Sequence, residues 1–263
     1  MTKSTTRLPG PQPAPLDALE AVVEAGLAML TSGAEVSRVE DTMVRLAQAY
    51  RIEPVDVVAM PTALFVAGPD GRSLVKRVRR RSVNLAVVAE INQLSRDVAK
   101  NPIPLNEFRE QLEKAKQRAI YPPWSSILFA AGAAGLISQL MGGHLVDVLP
   151  AAVSGGLTQL TRRTLFKTQI PGSLSDLLSA AVATLPALFL ARFHTFQLDA
   201  ILVGGIMVLT PGLLFTTAVR DGITGDLVSA VSRLLEALLI GGAVAAGASL
   251  PLYIYLHLGG RWP

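Results

Sequence analysis

The sequence contains no cysteine and only three histidines, so two common kinds of protein chemistry lack their donors. Without cysteine the chain has no disulfide framework, no thiol nucleophile and no thiolate metal ligand. The histidines, His144, His194 and His257, are too widely spaced to form a metal-binding motif. We therefore expect neither a bound metal nor a cofactor.

The first residues also lack the features of a secretory signal. The segment MTKSTTRLPGPQPAPL has two basic residues but neither an apolar core nor a small-residue cleavage site. Its proline content is typical of an unstructured segment, so we predict a disordered tail over residues 1–15.

Charge is scarce and unevenly distributed. Charged residues make up 17% of the chain, hydrophobic residues 50%, and the mean hydropathy is +0.42. Soluble domains usually contain about a quarter charged residues. Residues 1–123 hold 17 of the 24 Lys and Arg and 14 of the 20 Asp and Glu. These values predict a polar domain over residues 16–122 followed by a transmembrane domain over residues 123–263.

Periodicity in the polar part predicts a small α+β domain. Helices are expected from Leu16 to Leu30, ended by Gly33, and at Arg38–Arg51, Asn84–Ala99 and Leu105–Ile120. Strands are expected at Val55–Ala59, Ala63–Ala67 and Ser73–Val78, the last two as a hairpin across GPDG. The basic run Lys76–Arg81 fits anionic lipid better than nucleic acid, so the expected partner is the bilayer.

The apolar part predicts five membrane spans, at about residues 124–141, 145–160, 175–191, 200–219 and 231–256. Pro122-Pro123-Trp124 marks the boundary, and the second and third spans are short. Lys114, Lys116 and Arg118 precede the first span, and Arg162, Arg163 and Lys167 lie in the second connection. The positive-inside rule then places the N-terminal domain in the cytoplasm and the C-terminus outside.

Each span after the first contains a proline: Pro150, Pro186, Pro211 and Pro251. Together with the glycine pairs these residues favour broken helices around a substrate pathway over simple kinks. A helix that restarts at Pro211-Gly212 would present an end that favours a carboxylate. Asp226, Ser229, Arg233 and Glu236 recur at spacings of three, four and three, so they share one helix face. An ionisable group inside a membrane segment is a candidate for function.

Other polar residues have alternative interpretations. Ser37 and Glu40 have the spacing of a capping box, whereas Arg38 opposes the helix dipole and therefore predicts an acidic partner elsewhere. A hydrolase using Glu35, Ser37 or Asp41 would need a nucleophile and a base in contact, which the spacing does not supply. The role of three further acidic residues stays open. Asp147 and Asp199 fit a substrate pathway or a structural role equally, and Asp176 fits a helix cap or a functional site.

The combination of GAEVSRVE, LTPG and AVRDGITGDLVSAVSRLLEA resembles the threonine/serine exporter family, specifically its larger, N-terminal component. The resemblance covers about Leu16 to Leu256. Its most specific part joins Pro211 and Gly212 to these residues: Arg220, Asp221, Gly225, Asp226, Arg233 and Glu236. In the first domain the matching motif contains Gly33, Ser37, Arg38 and Glu40.

The resemblance implies a secondary exporter of a small carboxylate-bearing metabolite rather than an enzyme. Single-chain members carry a second multi-span half, and split members work with a separate smaller membrane subunit, so we expect such a partner or a homo-oligomer. Threonine and serine are the first expected substrates and a dicarboxylate such as succinate is the alternative. A membrane-anchored sensor is a further alternative, although anchoring alone needs only one or two unbroken spans.

Overall fold

The computed structural model describes residues 15–79, 82–117, 122–168, 170–191, 193 and 196–260. The predicted tail, apart from Pro15, lies outside these residues, as do Arg80, Arg81, Arg118 and His194. The chain divides into two compact units, residues 1–120 with 217–232 and residues 121–216 with 233–263. Residues 217–232, which the sequence assigns to the membrane half, therefore belong to the first unit.

The first unit contains four helices and a sheet before residue 120. The helices are α1 (Pro15–Thr31), α2 (Val36–Ala49), α3 (Leu85–Lys100) and α4 (Leu105–Lys116). Each places an apolar face in one core, and the largest fully buried side chains there are Met29, Leu30, Met43, Leu46, Leu64, Ile91, Phe108 and Leu112. Helix α1 ends before Gly33, whose φ of 88° is a conformation that favours glycine.

The three strands form an antiparallel sheet in the order β1 (Asp56–Met60), β2 (Ala63–Ala67), β3 (Ser73–Arg77). The predicted hairpin is present, because Phe65 pairs with Val75 and Ala67 with Ser73. Side chains of Leu64 and Val66 point to the core, whereas Phe65 between them is 41% exposed. This alternation is what a sheet with one covered face requires.

The predicted capping box at the start of α2 is wrong. Glu35, not Ser37, is the N-cap residue, and it makes no side-chain capping hydrogen bond. Ser37 is already the second residue of the helix, so its hydroxyl cannot cap that end. Glu40 instead accepts a hydrogen bond from the backbone of β1.

The second unit is helical. It contains α5 (Pro123–Leu140), a 3₁₀ turn (Leu145–Asp147), α6 (Val148–Lys167), α7 (Gly172–Leu190) and α8 (Leu198–Met207). Two further helices, α9 (Gly212–Ile223) and α10 (Leu227–His257), each belong partly to the first unit and partly to the second. Helices thus occupy all five ranges predicted as spans, but α6 has 20 residues and α7 has 19, so neither is short.

Length and hydropathy single out fewer spans than the sequence predicts. Among the described residues, α7 and α10 are each long and apolar enough to cross a membrane. Helices α8 and α9 pass the same test together, with a bend of 60° between them, and would make a third. Helix α6 carries Arg162, Arg163 and Lys167 within its last two turns, which lowers its hydropathy.

Burial in the second unit favours small and polar side chains over large apolar ones. Its fully buried residues are Ala134, Ser138, Asp147, Ala151, Ser154, Thr158, Ser179, Ala180, Ala183, Thr184, Ala187 and Ile201. Large residues such as Leu136, Leu149 and Phe189 are more than two-thirds exposed. This distribution is typical of helices packed in lipid, where apolar side chains gain nothing by leaving the outer surface.

Candidate functional site

Three charged side chains from distant parts of the sequence meet in the first unit. Arg220, in the last turn of α9, donates from Nη1 to Oε1 of Glu35 at 2.9 Å. Nη2 of Arg38 lies 3.7 Å from Oε2 of the same carboxylate. The Glu35 side chain is only 14% exposed. One largely buried carboxylate therefore faces two guanidinium groups, and the GAEVSRVE motif contacts the Arg220-Asp221 motif.

Glu40 connects the same motif to the sheet. The backbone N–H of Ala59 donates to its Oε1 at 2.8 Å. Burial raises the pKa of Glu40 above its usual 4.5, the Ala59 N–H opposes this effect, and the negative charges of Asp226 and Asp41 add to it. Asp226 is therefore within electrostatic reach of α2.

Gly225 and Asp226 build the turn between α9 and α10. The φ of Gly225 is 95°, and the Asp226 N–H donates to the carbonyl of Asp221 at 2.8 Å, which closes α9. Oδ1 of Asp226 then accepts the N–H of Ser229 at 3.2 Å, which is N-cap geometry for α10. Asp221 is buried, with 1% of its surface exposed. Part of the predicted signature thus has a structural purpose, because it lets the chain reverse tightly.

The predicted break in the fourth span is present. Helix α8 ends at Met207 and α9 begins at Gly212, with Pro211 between them. The hydroxyl of Thr210 donates to the Met207 carbonyl at 2.7 Å, and the N–H of Phe215 donates to the Pro211 carbonyl at 3.0 Å. The restarted helix directs the positive end of its dipole toward the break.

Arg233 and Glu236 lie three residues apart on α10, within the second unit. Arg233 is 3% exposed, and Glu236 is half-buried. A buried guanidinium inside a largely apolar helix is costly, at least about 2.5 kcal/mol on insertion scales. Arg233 therefore remains a candidate for function.

Asp147 has an observed structural role. It is fully buried, its Oδ2 accepts the N–H of His144 at 2.6 Å, and its Oδ1 accepts the N–H of Gln197 at 3.0 Å. Both carboxylate oxygens thus bind backbone groups and connect the start of α6 to the start of α8. Asp199 is exposed in the first turn of α8, where a negative charge stabilises the helix dipole. This geometry favours the structural interpretation of Asp147 over the pathway interpretation.

Comparison with known proteins agrees with the motif. The family model described as putative threonine/serine exporter matches residues 20–255. The chain belongs to the threonine/serine exporter family. The match includes both the Glu35–Arg38–Arg220 cluster and the broken helix, so the features described above lie in the part of the chain that the family shares.

Three relatives illustrate the membership. A probable threonine/serine exporter of Mycobacterium tuberculosis is 26% identical over 89% of this chain and 45% of its own length. The threonine/serine exporter of Corynebacterium glutamicum is 28% identical over 67% of this chain and 37% of its own length. Pheromone-regulated membrane protein 10 of Yarrowia lipolytica is 20% identical over 87% of this chain and 20% of its own length.

The chain spans less than half of the length of each of these relatives. No solved structure matches it.

The sequence did not predict two charged contacts, Glu35 with Arg220 and Asp176 with Arg162. The acidic partner expected elsewhere for Arg38 is instead Glu35, three residues before it, and the second partner of Glu35, Arg220, is 185 residues away. Asp176 was interpreted as a cap or a site, but it is the fifth residue of α7 and caps nothing. Its Oδ1 lies 3.1 Å from Nε of Arg162 on α6. The only sequence signal for this pair was an acid within an apolar helix.

Proposed function

We propose that this chain is the larger component of a secondary transporter that exports small amino acids, threonine and serine first, across the inner or plasma membrane in exchange for protons. The family match over residues 20–255 carries this proposal. The names of two relatives describe a probable threonine/serine exporter and a threonine/serine exporter. The helix end at the 60° break at Pro211-Gly212 and the buried guanidinium of Arg233 both attract negative charge, which supports binding of a carboxylate-bearing solute.

Five spans complete the proposed topology. They correspond to α5, α6, α7, the bent pair α8–α9, and α10. Basic residues at the C-terminal end of α6 and before α5 support a topology with the N-terminal domain and the α6–α7 connection in the cytoplasm and the C-terminus outside. Exposed leucines and phenylalanines on the second unit would face lipid.

Residue roles follow from charge and position. Arg233 and the first turn of α9 receive the carboxylate of the substrate, and Glu236 or Asp226 exchanges the proton. Arg220, held by Glu35, links the end of α9 to the start of α2 within the first unit, and this contact acts as a gate on the cytoplasmic side. Asp221 is buried at the same helix end and supports it.

A second, smaller membrane component completes the transporter in this proposal. The relatives named as exporters are more than twice as long as the stretch that this chain matches. Their additional length provides room for further spans, which this proposal assigns to the second component, with a homo-oligomer as the alternative.

Efflux of preloaded labelled threonine, serine and succinate tests the proposal. Cells express the chain alone or with an adjacent membrane subunit, with and without a proton uncoupler. We expect uncoupler-sensitive efflux of threonine and serine, which Arg233→Gln abolishes and Lys167→Gln, an exposed charge on α6, leaves intact.

Each other outcome has a distinct meaning. Efflux of succinate alone would mean that the exported substrate is a dicarboxylate and not an amino acid. Efflux that the uncoupler does not reduce would exclude proton exchange. No efflux of any compound, with all proteins confirmed in the membrane, would contradict the exporter proposal and favour a sensor.

A further inference from the structure

The inner faces of α6 and α7 carry polar residues in a regular register. Arg162 meets Asp176, with Nε to Oδ1 at 3.1 Å, and eight residues earlier Ser154 donates its hydroxyl to the carbonyl of Ala183 at 2.6 Å. The two helices are antiparallel neighbours. A residue of α6 and a residue of α7 therefore lie at the same height along the helix pair when their residue numbers add up to about 337. The same register places Thr158 and Ser179 at the level between them.

We call these three levels the polar ladder: Arg162 with Asp176, Thr158 with Ser179, and Ser154 with Ala183. Thr158, Ser179 and Ser154 are fully buried, and Asp176 is 3% exposed. Eight helical residues correspond to roughly 12 Å, so the ladder runs from one end of the helix pair well into its interior. Hydroxyl-to-carbonyl hydrogen bonds account for the buried Ser154, Thr158 and Ser179, whereas a charged pair such as Arg162 with Asp176 is costly in a lipid-facing bundle and is a candidate for function.

The charged pair occupies the open end of this ladder. The Arg162 side chain is 45% exposed, and it lies near the C-terminal end of α6, next to the α6–α7 connection. In the proposed topology that connection is cytoplasmic. A solute leaving the cytoplasm would therefore meet the pair first and the hydroxyl groups afterwards.

The charges of the pair match one chemical class of solute. An amino acid carries an ammonium and a carboxylate on adjacent atoms, and a guanidinium next to a carboxylate offers the complementary two charges. A dicarboxylate would need a second cation. The neighbouring Arg163 instead donates to the hydroxyl of Ser126 on α5 at 3.1 Å.

We propose that Arg162 and Asp176 form a binding site for the carboxylate and the ammonium of a zwitterionic hydroxy amino acid at the entrance to the polar ladder. The inference rests on the proposed export function. The substrate exchanges its two charges with the pair, so that Arg162 binds the substrate carboxylate and Asp176 binds its ammonium. At the next level the hydroxyls of Thr158 and Ser179 donate to the carbonyls of Ser154 and Ser175, so their oxygens remain as acceptors for the hydroxyl group of the substrate.

Inverted membrane vesicles expose the cytoplasmic side and test this site directly. Export is measured as uptake of labelled threonine by vesicles that contain the full chain and its membrane partner. Two unlabelled analogues compete: threoninol, which lacks the carboxylate, and 2,3-dihydroxybutyrate, which lacks the ammonium. We expect both to inhibit the wild type, and succinate not to.

Single substitutions should show which charged group of the substrate each residue binds. In Asp176→Asn the KM for threonine rises by roughly 10–100-fold, the loss expected for one charge-assisted hydrogen bond, while inhibition by 2,3-dihydroxybutyrate is unchanged. In Arg162→Gln the KM rises similarly, while inhibition by threoninol is unchanged. Lys167→Gln removes an exposed charge from the same helix and should leave every constant at its wild-type value.

A purely structural ion pair predicts a different pattern. Each variant would then weaken the binding of threonine and of both analogues by the same factor, or would change none of the three affinities. Either result overturns the site. If Asp176→Asn lowers the amount of protein in the membrane, Asp176→Glu retains the charge and must then keep inhibition by threoninol. Wild-type vesicles that transport no amino acid would overturn the proposed function itself, whereas wild-type transport with unchanged variants would overturn only this site.

Discussion

The two units of the chain differ in where they place large apolar side chains. The first unit has a continuous core of Val, Leu, Met, Ile and Phe together with Ala, with most of its charges outside. The second unit buries alanine, serine and threonine, and its leucines and phenylalanines lie on the surface. One chain therefore uses two rules of packing.

The difference follows from the solvent that each unit meets. In water, burying apolar area stabilises a fold by about 25 cal/mol per Å², so large apolar residues go inside. In lipid that gain vanishes, and close contact between helix backbones, with hydroxyl-to-carbonyl hydrogen bonds, holds the bundle together. The hydroxyl of Ser154 donates to the Ala183 carbonyl on α7, and that of Thr184 donates to the Ala248 carbonyl on α10 at 3.4 Å.

A matched pair of phenylalanines gives the largest expected contrast. Phe108 in α4 is fully buried, and Phe189 in α7 is 76% exposed. Phe108→Ala should lower the free energy of unfolding by about 3–5 kcal/mol because it leaves a cavity. Phe189→Ala should change it by less than about 0.5 kcal/mol in detergent. Thermal unfolding of the purified protein measures both, and equal effects would refute the two-rule comparison.

Two glycines provide the next contrast, this time inside the helical unit. A Cβ added at Gly204 would lie 2.6 Å from the carbonyl oxygen of Ala134 and 3.3 Å from Cβ of Ser138. Gly204→Ala should therefore destabilise the bundle by about 1–3 kcal/mol. At Gly241, in α10, nothing lies within 4 Å of an added Cβ.

Gly241→Ala should accordingly stabilise α10 by up to about 1 kcal/mol, since alanine is the better helix former. The two substitutions are chemically identical and differ only in their surroundings. Opposite shifts of the melting temperature are expected. A shift of the same sign for both would show that backbone contact does not hold this bundle.

The Glu35–Arg220 ion pair should contribute little to stability. The Arg220 side chain is 57% exposed, and exposed pairs are worth about 0.2–1 kcal/mol because water and salt screen them. A double-mutant cycle with Glu35→Gln and Arg220→Gln measures the coupling energy. If the pair gates transport, as proposed, export should fall far more than stability does, and export that tracks stability would argue against gating.

Glu40 predicts the smallest effect, a dependence on pH. Burial raises the pKa of Glu40 in the folded state, so the folded state holds the proton more tightly than the unfolded state does. The resulting stabilisation is fully present below the unfolded pKa near 4.5 and is lost as pH rises through the raised pKa of the folded state. Glu40→Gln retains the acceptor for the Ala59 N–H and removes the titration. The stability of this variant relative to the wild type should increase between pH 4 and pH 7 in thermal melts, and a constant difference would contradict the sign.

Prediction succeeded for elements that periodicity governs. The strand Ala63–Ala67 has the predicted bounds, and the helix predicted at Leu16–Leu30 is observed at Pro15–Thr31. The break at Pro211 was predicted because proline lacks the N–H that a continuous helix needs. The capping box failed because its spacing recurs in the interior of helices, and only the backbone shows where a helix begins.

The sequence by itself determined the division into a polar and an apolar part, the helical faces and the position of the broken helix, since these depend on local composition and spacing. The tertiary structure decided which charges meet. Glu35 and Arg220 are 185 residues apart, and Arg162 and Asp176 are on different helices. Contacts of this kind depend on how elements pack, and no local pattern encodes the distance between two side chains that only the fold brings together.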